Sequence, residues 1–278
     1  MANPLKLIEE VSARLDRGDD PVRFAEDLEV FLRDPTRWRQ PLVSPVVQVP
    51  GAHGPGRDLR QWMQKVYDDL GIQGEVPSVP LLSKRQRAAF RRFGLRQLFV
   101  PALEETAYPA SFVKPAWGKY LDAASIERKP LSGIWVAIET IQKPEWNDPA
   151  GYLNDRLAEK LALKARFKAT WDQLHQGGLL AKVAQLMSFP KTRVRLPSVE
   201  EWNFLANLMN WLRTNRGEAL PDLGSTNSWE WCENVYRSDG RLFVGGREYG
   251  GLAHVYSQLP GRPVDGITFR VLAVLSPA

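Results

Sequence analysis

The hydrophobic period of this chain changes near Leu98, and that change limits its fold more than any other feature. Before it, apolar residues recur at helical spacing. Leu5, Ile8, Val11 and Leu15 predict a helix over 4–17. Asp20 as cap, Pro21 in the first turn and the stripe Phe24, Leu28 and Phe31 predict a second, stopped by Pro35. Residues 41–56, rich in Pro and Gly, read as an extended connector. Leu59, Trp62, Val66, Tyr67 and Leu70 predict a third helix ended by Gly71. The basic segment "SKRQRAAFRRFGLR", residues 83–96, is the fourth. Residues 1–95 therefore read as a small helical region.

From residue 96 to 278 the pattern is mixed. "QLFVPALEE" and "SGIWVAIET" are short β-branched and aromatic runs that fit strands. "PAGYLNDRLAEKLALKARFKATWDQLHQGG" reads as one long helical stretch closed by a glycine pair. Ser198 and Glu201 form a capping box for a helix whose apolar face is Trp202, Leu205, Leu208, Met209 and Leu212. After Gly217 come short strands in "RLFVGG", "LAHVYS" and "GITFRVLAVL". The expected fold class is α+β, with helices packed on a small, mostly antiparallel sheet. Eight of the ten tryptophans lie from Trp117 onward, which assigns the larger aromatic core to this part.

Few kinds of chemistry survive the residue counts. One cysteine excludes an internal disulfide framework. No apolar stretch approaches the ~18–20 residues that span a bilayer, and residues 1–20 lack an apolar leader segment. The expectation is a cytoplasmic protein with no membrane span. Net charge of +5 is modest, so a nucleic-acid adaptor working through residues 83–96 is an alternative rather than the main reading. That segment otherwise reads as a solvated helix face.

Cys232 is a candidate nucleophile only if a base is near it. His53, His175 and His254 are the only histidines, and no local signature ties one to Cys232. A lone cysteine between tryptophans reads as a small buried hydrophobe. These few His and Cys residues lack zinc-ligand spacing, so no metal and no cofactor are expected. Trp146-Asn147-Asp148 is a triplet seen near lectin calcium sites, but Asp148 before Pro149 fits a helix N-cap better. The glycine pairs in "VGGREYGGLA" match no nucleotide-binding motif and suit tight turns or close backbone approach.

Three segments in order carry a resemblance. "RLPSVEEW" (195–202), "NSWEWCEN" with "RLFVGG" (227–246), and "DGITFRVLAVL" (265–275) resemble the formylglycine-generating-enzyme branch of the C-type lectin fold. The oxidase of that branch uses paired copper-binding cysteines before its final G-F-R, and none stands between Gly246 and Phe269 here. Its iron-using relatives need a histidine triad, which His53 and His175 do not form. Formylglycine-generating-type oxidoreductase activity is therefore the alternative reading.

A narrower resemblance is to the variable proteins of diversity-generating retroelements. In such systems an error-prone reverse transcriptase randomises template adenines and replaces a cassette at the 3′ end of the target gene. The resemblance implies a C-type lectin fold over residues 96–278, with a cassette at about 229–270. It also implies a non-catalytic protein that binds an unknown protein or surface ligand. The framework would be Trp229, Glu230, Trp231, Gly245, Gly246, Tyr249, Gly250, Gly251, Phe269 and Arg270. The displayed ligand-binding positions would be Val235, Tyr236, Arg237, Asp239, Arg247, His254, Tyr256, Ser257, Leu259, Gly261, Arg262 and Val264, on one solvent-facing patch. "HVYSQLPGRPVDG" is mostly drawn from what randomised Asn codons encode, whereas Gln258 and Glu248 are not reachable that way. Tyr256 and Arg262 are the expected hot spots, because Tyr and Arg are enriched among them.

Overall fold

Helix α1 (Leu59–Leu70) begins where Asp58 accepts hydrogen bonds from the first-turn amides, and it ends in a left-handed Gly71. Helix α2 (Lys84–Phe93) has a reciprocal capping box between Ser83 and Gln86 and ends at Gly94. The computed structural model describes residues 58–117, 121–148, 155–247 and 251–275. The helices expected at 4–17 and 20–35 and the connector at 41–56 lie outside the described residues.

After these helices come β1 (Leu95–Val100), β2 (Ile134–Glu139), and three short helices: α3 (Arg156–Lys160), α4 (Trp171–His175) and α5 (Leu179–Met187). Then follow β3 (Val194–Arg195), the long helix α6 (Val199–Arg216), β4 (Trp229–Tyr236) and β5 (Gly240–Gly245). Strands β6 (Val255–Gln258), β7 (Ile267–Thr268) and β8 (Leu272–Leu275) are the last of the described elements. Two four-stranded sheets result, ordered β1-β2-β8-β3 and β6-β5-β4-β7. Pairing is antiparallel except between β4 and β7. The fold is α+β, with helices preceding the sheets.

Met63, Val66 and Tyr67 of α1 and Ala89 and Phe93 of α2 enter the same apolar cluster as Leu98, Val136 and Leu272 of the first sheet. Residues Val49–Ala278 group as one unit. Helix α6 runs between the layers and is buried nearly all round, including Glu200, Glu201, Asn203 and Asn207 as well as the predicted apolar face. Each polar group has a bonded partner: Asn203, for example, donates to the carbonyls of Val113 and Leu252.

The long helix expected over 149–178 is corrected. Residues 149–154 are outside the described set, and the remainder breaks into α3 and α4, with Ala162 and Lys168 at positive φ. Arg166 supplies the reason. It is fully buried, donating to Glu139 Oε2 at 2.7 Å and to Asp155 Oδ1 at 2.7 Å. In one continuous helix, residues 155 and 166 would lie about 16 Å apart. A chain that doubles back satisfies the buried guanidinium, and that outweighs helix propensity.

Candidate ligand-binding surface

The three sequence elements that carry the family resemblance meet at one carboxylate. Glu230 of β4 accepts two bonds from Arg270 (Nε at 2.8 Å and Nη2 at 2.7 Å) and one from Trp202 Nε1 at 2.8 Å. Arg270 also donates to the carbonyls of Glu139 and Ile141, which ties the second sheet to the first. Burial raises the affinity of Glu230 for a proton, but the charge and hydrogen bonds of Arg270 outweigh it and hold the carboxyl below the usual range. In the same network Glu139, despite full burial, is held at about 2 by Arg166 and Lys143. Lys143 stands 3.7 Å from Glu139 and is lowered to about 8 by burial and by Arg166.

Further bonds pin the first element to the second. Glu233 accepts from the Leu196 amide at 2.9 Å, and Asn234 from the Val199 amide at 2.7 Å. His175 closes on Glu233 at 3.0 Å while stacked on Trp171. Glu233 is half-buried; partial desolvation raises its proton affinity, but the His175 hydrogen bond and charge bring the carboxyl below the usual range. Arg195 grips Glu201 with two bonds of 2.6 and 2.7 Å. These residues fasten backbone to backbone.

Cys232 is fully buried, with its thiol pushed well up by burial and by the Glu230 and Glu200 charges. A thiol so placed is a poor nucleophile. Asn147 of the Trp-Asn-Asp triplet accepts from Asn227 Nδ2 at 3.1 Å. Helix α3 is capped by Asp155. Among the described residues no three His, Cys, Asp or Glu side chains gather as a metal site.

On the second sheet Trp231 is fully buried and donates to the Ala169 carbonyl at 2.8 Å. Its ring meets Phe243 edge-on, and Phe243 meets Tyr256, so Trp231, Phe243 and Tyr256 form a row across β4, β5 and β6. Trp229 lies over the glycine pair. A Cβ on Gly246 would stand 2.5 Å from its ring, which accounts for glycine there.

The register divides the predicted positions. Tyr236 pairs with Gly240 and Arg241 with Gln258, so the β4–β5 turn and the segment after β6 lie at the same end of the sheet. Val235, Tyr236, Arg237, Asp239, Ser257, Leu259, Gly261 and Arg262 belong to that end. Arg237, Asp239, Leu259, Gly261 and Arg262 are exposed there, whereas Val235, Tyr236 and Ser257 are half-buried. Arg237 adopts φ 54°, left-handed for a non-glycine residue. Tyr256, 43% exposed, sits on the edge strand β6, opposite Phe243 of β5.

Arg247 and Val264 lie elsewhere. Five residue steps of β5 separate Gly240 from Gly245, about 17 Å, and Arg247 lies beyond, paired with Glu145 at 2.7 Å. Val264 is half-buried and packs on the core. His254 corrects the prediction. It is 2% exposed, because its carbonyl accepts from the Gly245 amide and its ring packs edge-on to Trp229 at 4.9 Å. It belongs with the framework. Tyr249 and Gly250 lie outside the described residues.

Sequence reading missed Trp146. It is 44% exposed and lies beside Gly266, where Trp229 also approaches. Its signal is the tryptophan of "EWNDP", a stretch whose sequence also fits a calcium triplet and, better, a helix N-cap at Asp148.

No family model matches this chain, and no curated protein matches it in sequence. Among solved structures it is similar to Treponema denticola variable protein 1, at 12% identity and a TM-score of 0.35, over 64% of this chain and 94% of that one. It is also similar to CarF, known from a crystal structure, at 15% identity and a TM-score of 0.37, over 66% of this chain and 99% of that one. No described helix is long and apolar enough to cross a membrane.

Proposed function

We propose that this chain is a non-catalytic display protein of the C-type lectin fold, whose C-terminal cassette is diversified and binds a protein or surface ligand. The observation that carries the reading is the contrast within residues 229–270. Trp231, Glu230 and Arg270 are buried and held by hydrogen bonds and Phe269 is fully buried, while Arg237, Asp239, Leu259, Gly261 and Arg262 face solvent at one end of the same sheet. Such an arrangement lets surface side chains change at little cost to the fold. Tyr256 and Arg262 supply rigid aromatic area and a bidentate donor, the mixture found in paratopes. His254 is not among the displayed positions.

The test is to sequence the 3′ end of the gene, and the DNA beside it, in independent isolates. The reading expects a near-identical repeat differing at adenines, with substitutions concentrated in codons 235–239 and 256–264 and none at 229–231 or 269–270. Substitutions spread evenly over framework and surface codons would refute it.

A further inference from the structure

Two stretches of this sequence contain no acidic residue at all, residues 76–103 and 173–199. They are far apart in the chain, yet the fold packs them together. Gln86 of α2 donates to the Ser188 carbonyl at 3.2 Å, and Phe90 meets Phe189 with ring centroids 6.5 Å apart. We propose that the joint surface of these stretches binds the phosphate backbone of duplex nucleic acid, independently of the ligand read by the C-terminal cassette.

Helix α2 turns its apolar side, Ala89 and Phe93, into the core. At 100° per residue, Lys84, Arg85, Arg87, Arg91 and Arg92 then cover the whole opposite face, and all five are exposed. The second stretch adds Lys182, Lys191 and Arg193. None of these eight side chains is in an ion pair among the described residues. The stretches' other two arginines are already used, Arg96 by Glu218 and Arg195 by Glu201. Helix α3, also packed on α2, carries Glu159, which Lys160 holds at 3.2 Å.

The chain has 37 basic and 32 acidic residues, so without those eight it would carry 29 against 32. Eight basic residues on two packed stretches that hold no acidic residue exceed the chain's whole net charge of +5, a local concentration that steers a polyanion to these stretches. Five of the eight are arginines, whose planar forks suit phosphate oxygens.

The chemistry of the face selects among polyanions. Besides the charges, the solvent side of α2 carries only Ala88, and Leu81 nearby is a single exposed leucine. That is too little apolar surface for a helix to settle into a bilayer. Phe93 is buried and Phe90 half-buried, so no aromatic platform is offered to unstacked bases. What remains is a rigid charged face suited to backbone contacts, without sequence reading.

The experiment uses the full chain and a fluorescein-labelled mixed-sequence DNA duplex of about 20 base pairs, with anisotropy followed from about 25 to 200 mM salt. The expected result is binding whose log–log salt slope is about −4, from four or five neutralised phosphates. Arg85→Gln with Arg91→Gln and Arg92→Gln, none of which bonds another side chain among the described residues, should flatten the slope by about 2–3 and weaken binding at least about tenfold at low salt. Lys182→Gln with Lys191→Gln tests the second stretch separately, with an expected flattening of about 1–2. Melting temperatures of both variants should match the parent. Absence of duplex binding at about 25 mM salt, equal slopes in parent and both variants, or capture by phosphatidylserine vesicles without capture of duplex would each overturn the proposal.

Discussion

Replacing Glu230 by Gln keeps the shape of the side chain and removes its charge. Arg270 is fully buried and Glu230 3% exposed, so water cannot compensate the guanidinium. Nor can Arg270 move away, since its Nη1 is held by the Glu139 and Ile141 carbonyls at 2.6 and 3.1 Å. The other buried carboxylate nearby, Glu139, already serves Arg166 and the Val271 amide. A glutamine also turns an amide toward a site where Arg270 and Trp202 both donate, so at least one good hydrogen bond is lost. Breaking a buried pair by neutralising one partner costs about 3–5 kcal/mol. For a unit of this size that lowers the melting temperature by roughly 6–20 °C. Urea unfolding followed by tryptophan fluorescence should show an earlier midpoint with an unchanged m-value. Trp202→Phe removes only one of the three bonds and should cost about 1–3 kcal/mol. If Glu230→Gln costs less than about 1 kcal/mol, the network does not hold the sheets together and this reasoning fails.

The framework and the displayed positions should respond to mutation in opposite ways. Trp231→Ala should cost about 3–5 kcal/mol through its cavity, while Arg237→Ala, Asp239→Ala, Leu259→Ser and Arg262→Ala should each stay within about 0.5 kcal/mol; thermal melts distinguish the two classes. Cys232→Ala should cost about 1–2 kcal/mol, and in the native protein the thiol should not react with a disulfide reagent. Acid should destabilise the fold. Glu139 (about 2), Glu230, Glu233 and Asp155 are held below their ordinary values, so their contribution is full above about pH 5 and is lost as pH falls toward 2. Lys143 acts at the other end. With its folded value lowered to about 8 from 10.5, the unfolded chain binds the extra proton between them, so stability should rise with pH across that interval. Lys143→Met should abolish the rise in a series of urea titrations; a rise that persists would assign it to another group.

Local structure followed from local sequence wherever the cause was local. The capping box at Ser198, the glycine stop at Gly71, and the β-branched runs that became β1, β2, β5 and β8 were all legible, because each depends on neighbours a few residues away. The burial of Cys232 was legible too, from its tryptophan neighbours. Tertiary structure alone decided the break at 161–169, since what overrides helix propensity there is a buried guanidinium whose partners, Asp155 and Glu139, lie 11 and 27 positions away. It also decided His254. The residue looks like an exposed loop polar group by sequence, but pairing of β5 with β6 draws it under Trp229. The sequence resemblance named Glu230 and Arg270 as framework and placed Trp202 on a helix face, yet only folding brings the three to one buried carboxylate. Hydrophobic period and capping act over a single turn or strand, whereas a buried charge is satisfied by whatever the whole fold delivers to it.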